Sequence, residues 1–148
     1  MDRFSQILYD LGQVLEEPLY IDENRVCQLN YKDELDLQIQ FEEGKEQLLI
    51  GIFLCEVPPG KYREKLLKEA LMTNGEYPRL GTLAYSERNN MLTFFELLPA
   101  AGLTGEKLFE WLEKFVERGK EWKAAVESGN PLPSPKSSNG SGGMLGIK

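Results

Sequence analysis

The sequence predicts an α+β fold, homodimeric, in which one mainly antiparallel sheet is packed with helices in the order α-β-β-β-α-β-β-α. Three observations lead to this fold class. Apolar residues recur at helical spacing in three segments of the chain. One segment alternates between apolar and polar residues, as a strand with one solvated face does. Two further segments are almost wholly apolar and are bounded by residues that favour turns.

Helices are predicted at residues 2–16, 61–73 and 104–127. Asp2 and Thr104 are suited to cap the first and third helices, because their side-chain oxygens can accept hydrogen bonds from N–H groups of the first turn. The third helix has the clearest pattern, with its apolar residues on one face and its glutamates on the other. That apolar face comprises Leu108, Trp111, Leu112, Phe115, Val116, Gly119, Trp122 and Val126.

Strands are predicted at residues 25–30, 34–42, 47–57, 79–86 and 91–98. The second strand has a single apolar face, formed by Leu35, Leu37, Ile39 and Phe41. The third strand has two apolar faces, with Leu48, Ile50, Ile52 and Leu54 on one and Leu49, Phe53 and Cys55 on the other. The fifth strand is apolar on both faces in the same way.

Two strands with two apolar faces leave more apolar surface than one small domain can cover. Each large side chain left exposed forgoes about 1.5–3 kcal/mol of burial. Contiguous exposed apolar patches usually mark interaction surfaces. We therefore expect a dimer and a second apolar surface that receives another polypeptide, with edge strands available for strand addition.

The composition indicates one globular domain. The chain has 148 residues, of which 41% are hydrophobic and 28% charged. Its formal charge of −7 repels phosphate backbones, so no nucleic acid partner is expected. No apolar stretch approaches the about 20 residues that span a bilayer, and the first residues do not resemble a signal peptide. We expect a cytoplasmic protein without membrane insertion.

No catalytic constellation is recognisable in the sequence. Histidine, the commonest general base and a common metal ligand, does not occur. There is no glycine-rich phosphate loop and no CxxC or GxSxG motif. Cys27 and Cys55 each lie in an apolar strand, which favours buried free thiols. We expect neither an enzyme nor a bound metal or cofactor.

The composition changes at residue 128. Residues 128–148 are rich in serine, glycine, proline and asparagine, a pattern typical of flexible extensions. We therefore expect a domain at 1–127 followed by a tail at 128–148, to which the sequence assigns no role.

Three segments carry a resemblance to a known family. They are FSQILYDLG at Phe4–Gly12, GTLAYSERNNMLTFFELLP at Gly81–Pro99 and LTGEKLFEWLEKFVERGKEWKAAV at Leu103–Val126. Their order along the chain resembles that of the class I type III secretion chaperones, the Tir-chaperone family. The resemblance covers about residues 1–127 and leaves the tail outside.

The resemblance implies a cytosolic homodimer that binds the extended N-terminal region of a secreted effector protein. Such a chaperone keeps the bound segment soluble and competent for export, without enzymatic activity. The alternative is a dimeric regulatory or assembly module of similar fold that binds a folded protein partner. The sequence does not separate these two functions.

The resemblance also implies two sets of contact residues. The effector-binding groove, formed by the first helix and the sheet, maps onto Phe4, Ile7, Leu8, Leu11, Leu35, Leu37, Leu49 and Phe53. The dimer interface, formed by the second helix and the strand after it, maps onto Tyr62, Leu66, Leu67, Ala70, Leu71, Leu83 and Tyr85. For each of these residues, a position in the core is an equally good interpretation.

Overall fold

The structure, a computed structural model, describes residues 2–77 and 80–133. Within them lie three α-helices and five strands in the predicted order, which confirms the α+β fold class. Residues 134–148 of the predicted tail, and the first residue of the predicted strand 79–86, lie outside the described residues. The elements are α1 (Arg3–Leu15), β1 (Val26–Tyr31), β2 (Leu35–Glu42), β3 (Gln47–Glu56), α2 (Lys61–Asn74), β4 (Thr82–Ser86), β5 (Met91–Pro99) and α3 (Gly105–Ser128).

All five strands form one antiparallel sheet in the order β1-β2-β3-β5-β4. Strand β3 is central, and β1 and β4 are the two edges. Lys32 and Asp33 join β1 to β2 with φ values of 50° and 59°, which is the backbone of a type I′ hairpin turn.

Helices α1 and α3 cover one face of the sheet and bury the core between them. The predicted apolar face of α3 is confirmed, since Trp122 and Phe115 are fully buried in this core. Gly119 lets α3 approach the sheet closely, because an added Cβ would lie 3.3 Å from a methyl group of Leu54. The other face of the sheet carries no helix in the described part of the chain, so β3 is covered by its own chain on one side only.

The start of α1 is tied to the start of β1. Asp2 caps the helix by accepting a hydrogen bond from the Ser5 N–H at 2.8 Å, and it forms a 2.7 Å ion pair with Arg25. The Arg25 guanidinium also lies over the stacked rings of Phe4 and Phe41, 5.3 and 5.6 Å from their centroids. These contacts fix the angle at which α1 crosses the sheet.

A β-bulge changes which face one predicted residue occupies. Phe53 pairs with Thr93 and Cys55 pairs with Leu92, which leaves Leu54 as an extra residue in β3. Leu54 and Cys55 therefore both point into the core. The prediction that Cys55 shares a face with Phe53 was wrong, because strict alternation does not hold across a bulge.

Both cysteines are buried and free, as predicted. Burial raises the pKa of each thiol to about 11, so both remain protonated at neutral pH.

The close crossing of α1 and α3 predicts that Gly105→Ala lowers the stability of the fold. An added Cβ at Gly105 would lie 2.5 Å from the Asp10 Cβ and 2.6 Å from the Leu11 nitrogen, so the two helices must separate. We expect a loss of about 1–3 kcal/mol in the free energy of unfolding, measured by urea denaturation. Gly44→Ala is the matched control, because nothing lies within 4 Å of its Cβ. Equal stability of the two variants would contradict the close crossing.

The Asp2 cap predicts a pH-dependent contribution to stability. Hydrogen bonds from Ser5, together with Arg25, lower the pKa of Asp2 from 3.8 to about 2. A depressed pKa stabilises the folded state above the unfolded-state pKa, and this contribution is lost as the pH falls towards 2. Asp2→Asn keeps a capping oxygen but removes the charge. We expect its deficit in unfolding free energy to be constant above pH of about 5, to shrink as the pH falls from there, and to vanish below about pH 2. Parallel pH profiles of wild type and variant would contradict this.

Candidate functional site

The face of the sheet away from α1 and α3 carries an exposed apolar patch. We call Leu49, Phe53, Phe95 and Leu97 the outer-face patch. Leu49 pairs directly with Leu97 across β3 and β5, and Phe95 lies opposite Gly51. Phe53 is 50% exposed and Leu97 is 40% exposed. Because Gly51 has no side chain, it lies at the floor of a trough of about 450 Å³ that is also lined by Leu49, Phe53 and Phe95.

Helix α2 lies beside the edge strand β4 and presents a second apolar surface. Leu66 and Ala70 face the core and are buried. On the opposite side Leu71 is 73% exposed and Met72 is 50% exposed. We call Leu71 and Met72 the α2 face. Tyr85 of β4 lines the trough on the outer face and also lies under the guanidinium of Arg63 in α2.

Asn74 fixes the C-terminal end of α2 to β4. Its side-chain amide donates to the Leu83 carbonyl at 2.8 Å, and its side-chain oxygen accepts from the Leu83 N–H at 2.9 Å. Leu83 points these two backbone groups away from β5. The Asn74 side chain therefore takes the place of a neighbouring strand at this point of the β4 edge.

Asn90 fixes the N-terminal end of α2. Its side-chain oxygen accepts hydrogen bonds from Arg63 of α2 at 2.9 Å and from the Tyr85 hydroxyl at 2.8 Å. Its side-chain nitrogen donates to the Val57 carbonyl at 3.0 Å. The Arg63 guanidinium also lies 4.6 Å from the centroid of the Tyr85 ring. These contacts hold both ends of α2 against the β4–β5 hairpin.

The opposite edge of the sheet is open along part of β1. The Arg25 carbonyl accepts a hydrogen bond from β2, so alternate residues after it point their backbone groups outwards. The first of these, Val26, is bonded to Asp22 through its N–H and its carbonyl. The next two, Gln28 and Asn30, have no backbone partner on that side among residues 2–77 and 80–133. The edge can therefore pair with an added strand.

A groove of about 620 Å³ lies between α1 and the loop that leads to β1. We call it the α1 groove, formed by the α1 residues Leu8, Tyr9, Gly12 and Gln13 and by loop residues 16–21. Gly12 permits the loop to fold back on the helix, because an added Cβ would lie 2.8 Å from the Glu17 carbonyl oxygen. Tyr9 and Tyr20 line the groove and are 55% and 75% exposed.

The structure divides the predicted effector-binding residues into three groups. Leu49 and Phe53 lie on the outer face of the sheet, half-buried and exposed respectively. Leu8 is buried at the floor of the α1 groove. The other five are core residues, with at most 5% of their surface exposed: Phe4, Ile7, Leu11, Leu35 and Leu37. Their direct contact with another chain stays a prediction.

The predicted dimer residues also divide by burial. Leu66, Ala70 and Leu83 are buried, whereas Leu71 is exposed. Tyr62, Leu67 and Tyr85 are half-buried. The sequence analysis missed Met72 and the two asparagines that fix α2. The asparagine pair in the β4–β5 turn was a usable signal, because Asn90 adopts a positive φ of 57°.

The described residues contain no helix long and apolar enough to cross a membrane. No group of potential metal-ligating side chains was found among residues 2–77 and 80–133.

Several solved protein complexes contain a chain with the same fold. The HopA1-SchA chaperone-effector complex aligns with a TM-score of 0.70 and 22% identity, over 83% of this chain and 94% of that one. The ExsC-ExsE complex aligns with a TM-score of 0.70 and 18% identity, over 85% and 97%. The ExoU-SpcU complex of the Pseudomonas aeruginosa type III secretion system aligns with a TM-score of 0.64 and 16% identity, over 82% and 98%.

The family model identifies the chain more directly. None of the curated proteins compared matches the sequence. The model of the Tir chaperone protein (CesT) family matches residues 6–123, which is most of the domain predicted at 1–127. This match confirms the resemblance carried by the three sequence segments. The chain belongs to the Tir chaperone protein (CesT) family.

Proposed function

We propose that this protein is a cytoplasmic type III secretion chaperone that binds an extended segment of a secreted effector protein. Binding keeps that segment soluble and competent for export. The observation that carries the proposal is the open β1 edge at Gln28 and Asn30, which lies next to the α1 groove. The chaperone-effector complexes among the structural neighbours support it. The predicted absence of enzymatic activity stays a prediction.

Strand addition accounts for binding without a fixed client sequence. Backbone groups of the client would pair with the outward N–H and carbonyl groups of Gln28 and Asn30. Each such hydrogen bond contributes only about 0.5–1.5 kcal/mol net, because the client gives up hydrogen bonds to water. A disordered client also loses conformational entropy on binding, so apolar side-chain contacts must supply most of the affinity. The α1 groove offers such contacts beside the edge.

A second copy of the chain is the proposed occupant of the α2 face and the outer-face patch. Leu71 and Met72 of the α2 face are exposed apolar residues, and so are Phe53 and Leu97 of the outer-face patch. The hydrogen bonds of Asn74 and Asn90 hold α2 in place, so this surface is preformed and little ordering is required when it binds. A dimer of this kind would cover the face of the sheet that the chain's own helices leave open.

The client proposal predicts that Gln28→Pro weakens binding. Proline removes the outward N–H, whereas edge strands tolerate it because the β1–β2 ladder does not use that group. We expect the affinity for the unfolded N-terminal segment of a candidate secreted protein to fall by about tenfold or more, measured by calorimetry. Gln28→Thr is the control, since it keeps the N–H and suits a strand.

Two outcomes would contradict this assignment. Equal binding by the proline and threonine variants would exclude β1 as the pairing edge. Binding by the wild type to a folded partner only would favour the alternative function, a regulatory or assembly module.

The dimer proposal predicts that Leu71→Glu with Met72→Glu gives a monomer. Burial of two carboxylates against an apolar partner surface is strongly unfavourable. Light scattering should give twice the chain mass for the wild type and one chain mass for the variant. Val14→Glu, which changes another exposed apolar residue on α1, should remain dimeric. A monomeric wild type would exclude the dimer.

A further inference from the structure

The loop that lines the α1 groove is strongly acidic. Four carboxylates, Glu16, Glu17, Asp22 and Glu23, occur within eight residues of sequence. None of them forms an ion pair with another described residue. The nearest cation along the chain, Arg25, is already paired with carboxylates elsewhere. Glu16 and Glu17 line the groove itself, so it carries two carboxylates that form no ion pair with a described residue.

Helix α1 adds to this negative potential. It ends at Leu15, and its last turn carries no basic residue. The unpaired carbonyl groups at a helix C-terminus favour a cation, and carboxylates beside them are unfavourable. Glu16 and Glu17 occupy that position directly. A positively charged ligand would relieve this repulsion.

Exposed aromatic rings provide an independent indication of a cationic ligand. Tyr9 lies on α1 and Tyr20 on the loop, and both line the α1 groove. The face of an aromatic ring attracts a cation electrostatically. Beneath them, Leu8, Leu19 and Ile21 give the groove an apolar floor. The groove thus combines an apolar floor, two aromatic rings and two carboxylates.

We propose that the α1 groove receives an arginine and a neighbouring apolar residue of an extended client strand. This inference rests on the proposed function and names the client feature that the site selects. Arginine fits better than lysine, because its planar guanidinium can stack on a tyrosine ring while it donates two hydrogen bonds to a carboxylate. Residues i and i+2 of a strand share one face, about 6.6–6.8 Å apart, so one can reach the floor and the other the acidic loop.

The position of the loop connects this groove to the pairing edge. Asp22 follows the groove loop and bonds to Val26 through its main chain and its side chain. Gln28 and Asn30 continue the same edge. A client strand paired with these two residues therefore lies next to the acidic loop.

Synthetic ten-residue peptides test the inference. They alternate valine and serine, and one central residue is arginine, glutamine or glutamate. We expect the arginine peptide to bind the full-length wild type about five- to tenfold more tightly than the glutamine peptide at about 50 mM salt, measured by fluorescence anisotropy. The glutamate peptide should bind more weakly than both. The preference should shrink at about 500 mM salt, because mobile ions screen exposed charges.

Variants that replace glutamate with glutamine test which carboxylates cause the preference for the arginine peptide. Glu16→Gln with Glu17→Gln should reduce the arginine preference to less than about twofold while the glutamine peptide binds as before. Glu76→Gln with Glu87→Gln removes the same charge from exposed positions outside the groove and should leave the preference unchanged. Tyr20→Leu should weaken arginine binding more than glutamine binding.

Three outcomes would overturn the inference. The first is equal binding of all three peptides by the wild type, which would leave strand addition, and hence the proposed function, intact. The second is an equal effect of the two glutamate double variants, which would show a non-local charge effect. The third is displacement of the arginine peptide by a stoichiometric amount of a synthetic peptide of residues 134–148, which would make the chain's own tail the occupant.

Discussion

The burial of one face of β3 against α1 and α3 is the contact on which the rest of the structure depends. Strand β3 is apolar on both faces, but the described chain supplies helices for only one of them. Gly119 and Gly105 let α3 pack closely on the sheet and on α1, which makes this covered side compact. On the other side of β3, Leu49 is half-buried and Phe53 is exposed, where another polypeptide could cover them.

The exposed surfaces differ in chemistry, and this difference separates their proposed partners. The outer-face patch is formed by large apolar side chains, and helix α2 is held by side-chain hydrogen bonds at both of its ends. Such a preformed surface suits a folded partner, including a second copy of the chain. The α1 groove is lined by acidic and aromatic side chains, and it lies near the outward backbone groups of Gln28 and Asn30 in β1. That combination suits an extended segment, because backbone pairing and side-chain selection occur side by side.

Periodicity predicted the elements because helices and strands each impose one spacing on their apolar residues. The buried face of α3 and the alternating strand β2 were predicted for this reason. The inward orientation of the Cys55 side chain was not predicted, because a bulge depends on how β3 pairs with β5. The role of Asn74 was also missed, since it bonds to a strand nine residues away. Periodicity places Leu37 on the apolar face of β2, but only the packing of α1 and α3 decides that this residue lies in the core rather than on a contact surface.

The Asn74 side chain has a consequence for self-association. A sheet that continues from one molecule to the next by edge pairing needs a free edge strand on both sides of each molecule. In this sheet the edge at Leu83 is occupied by the Asn74 side chain, whose amide pairs with the Leu83 backbone as a peptide unit would. A molecule can then pair with an added strand at β1, while the opposite edge at Leu83 is not available for pairing with a further molecule. A strand paired with β1 would therefore not be extended into a fibre through the edge at Leu83.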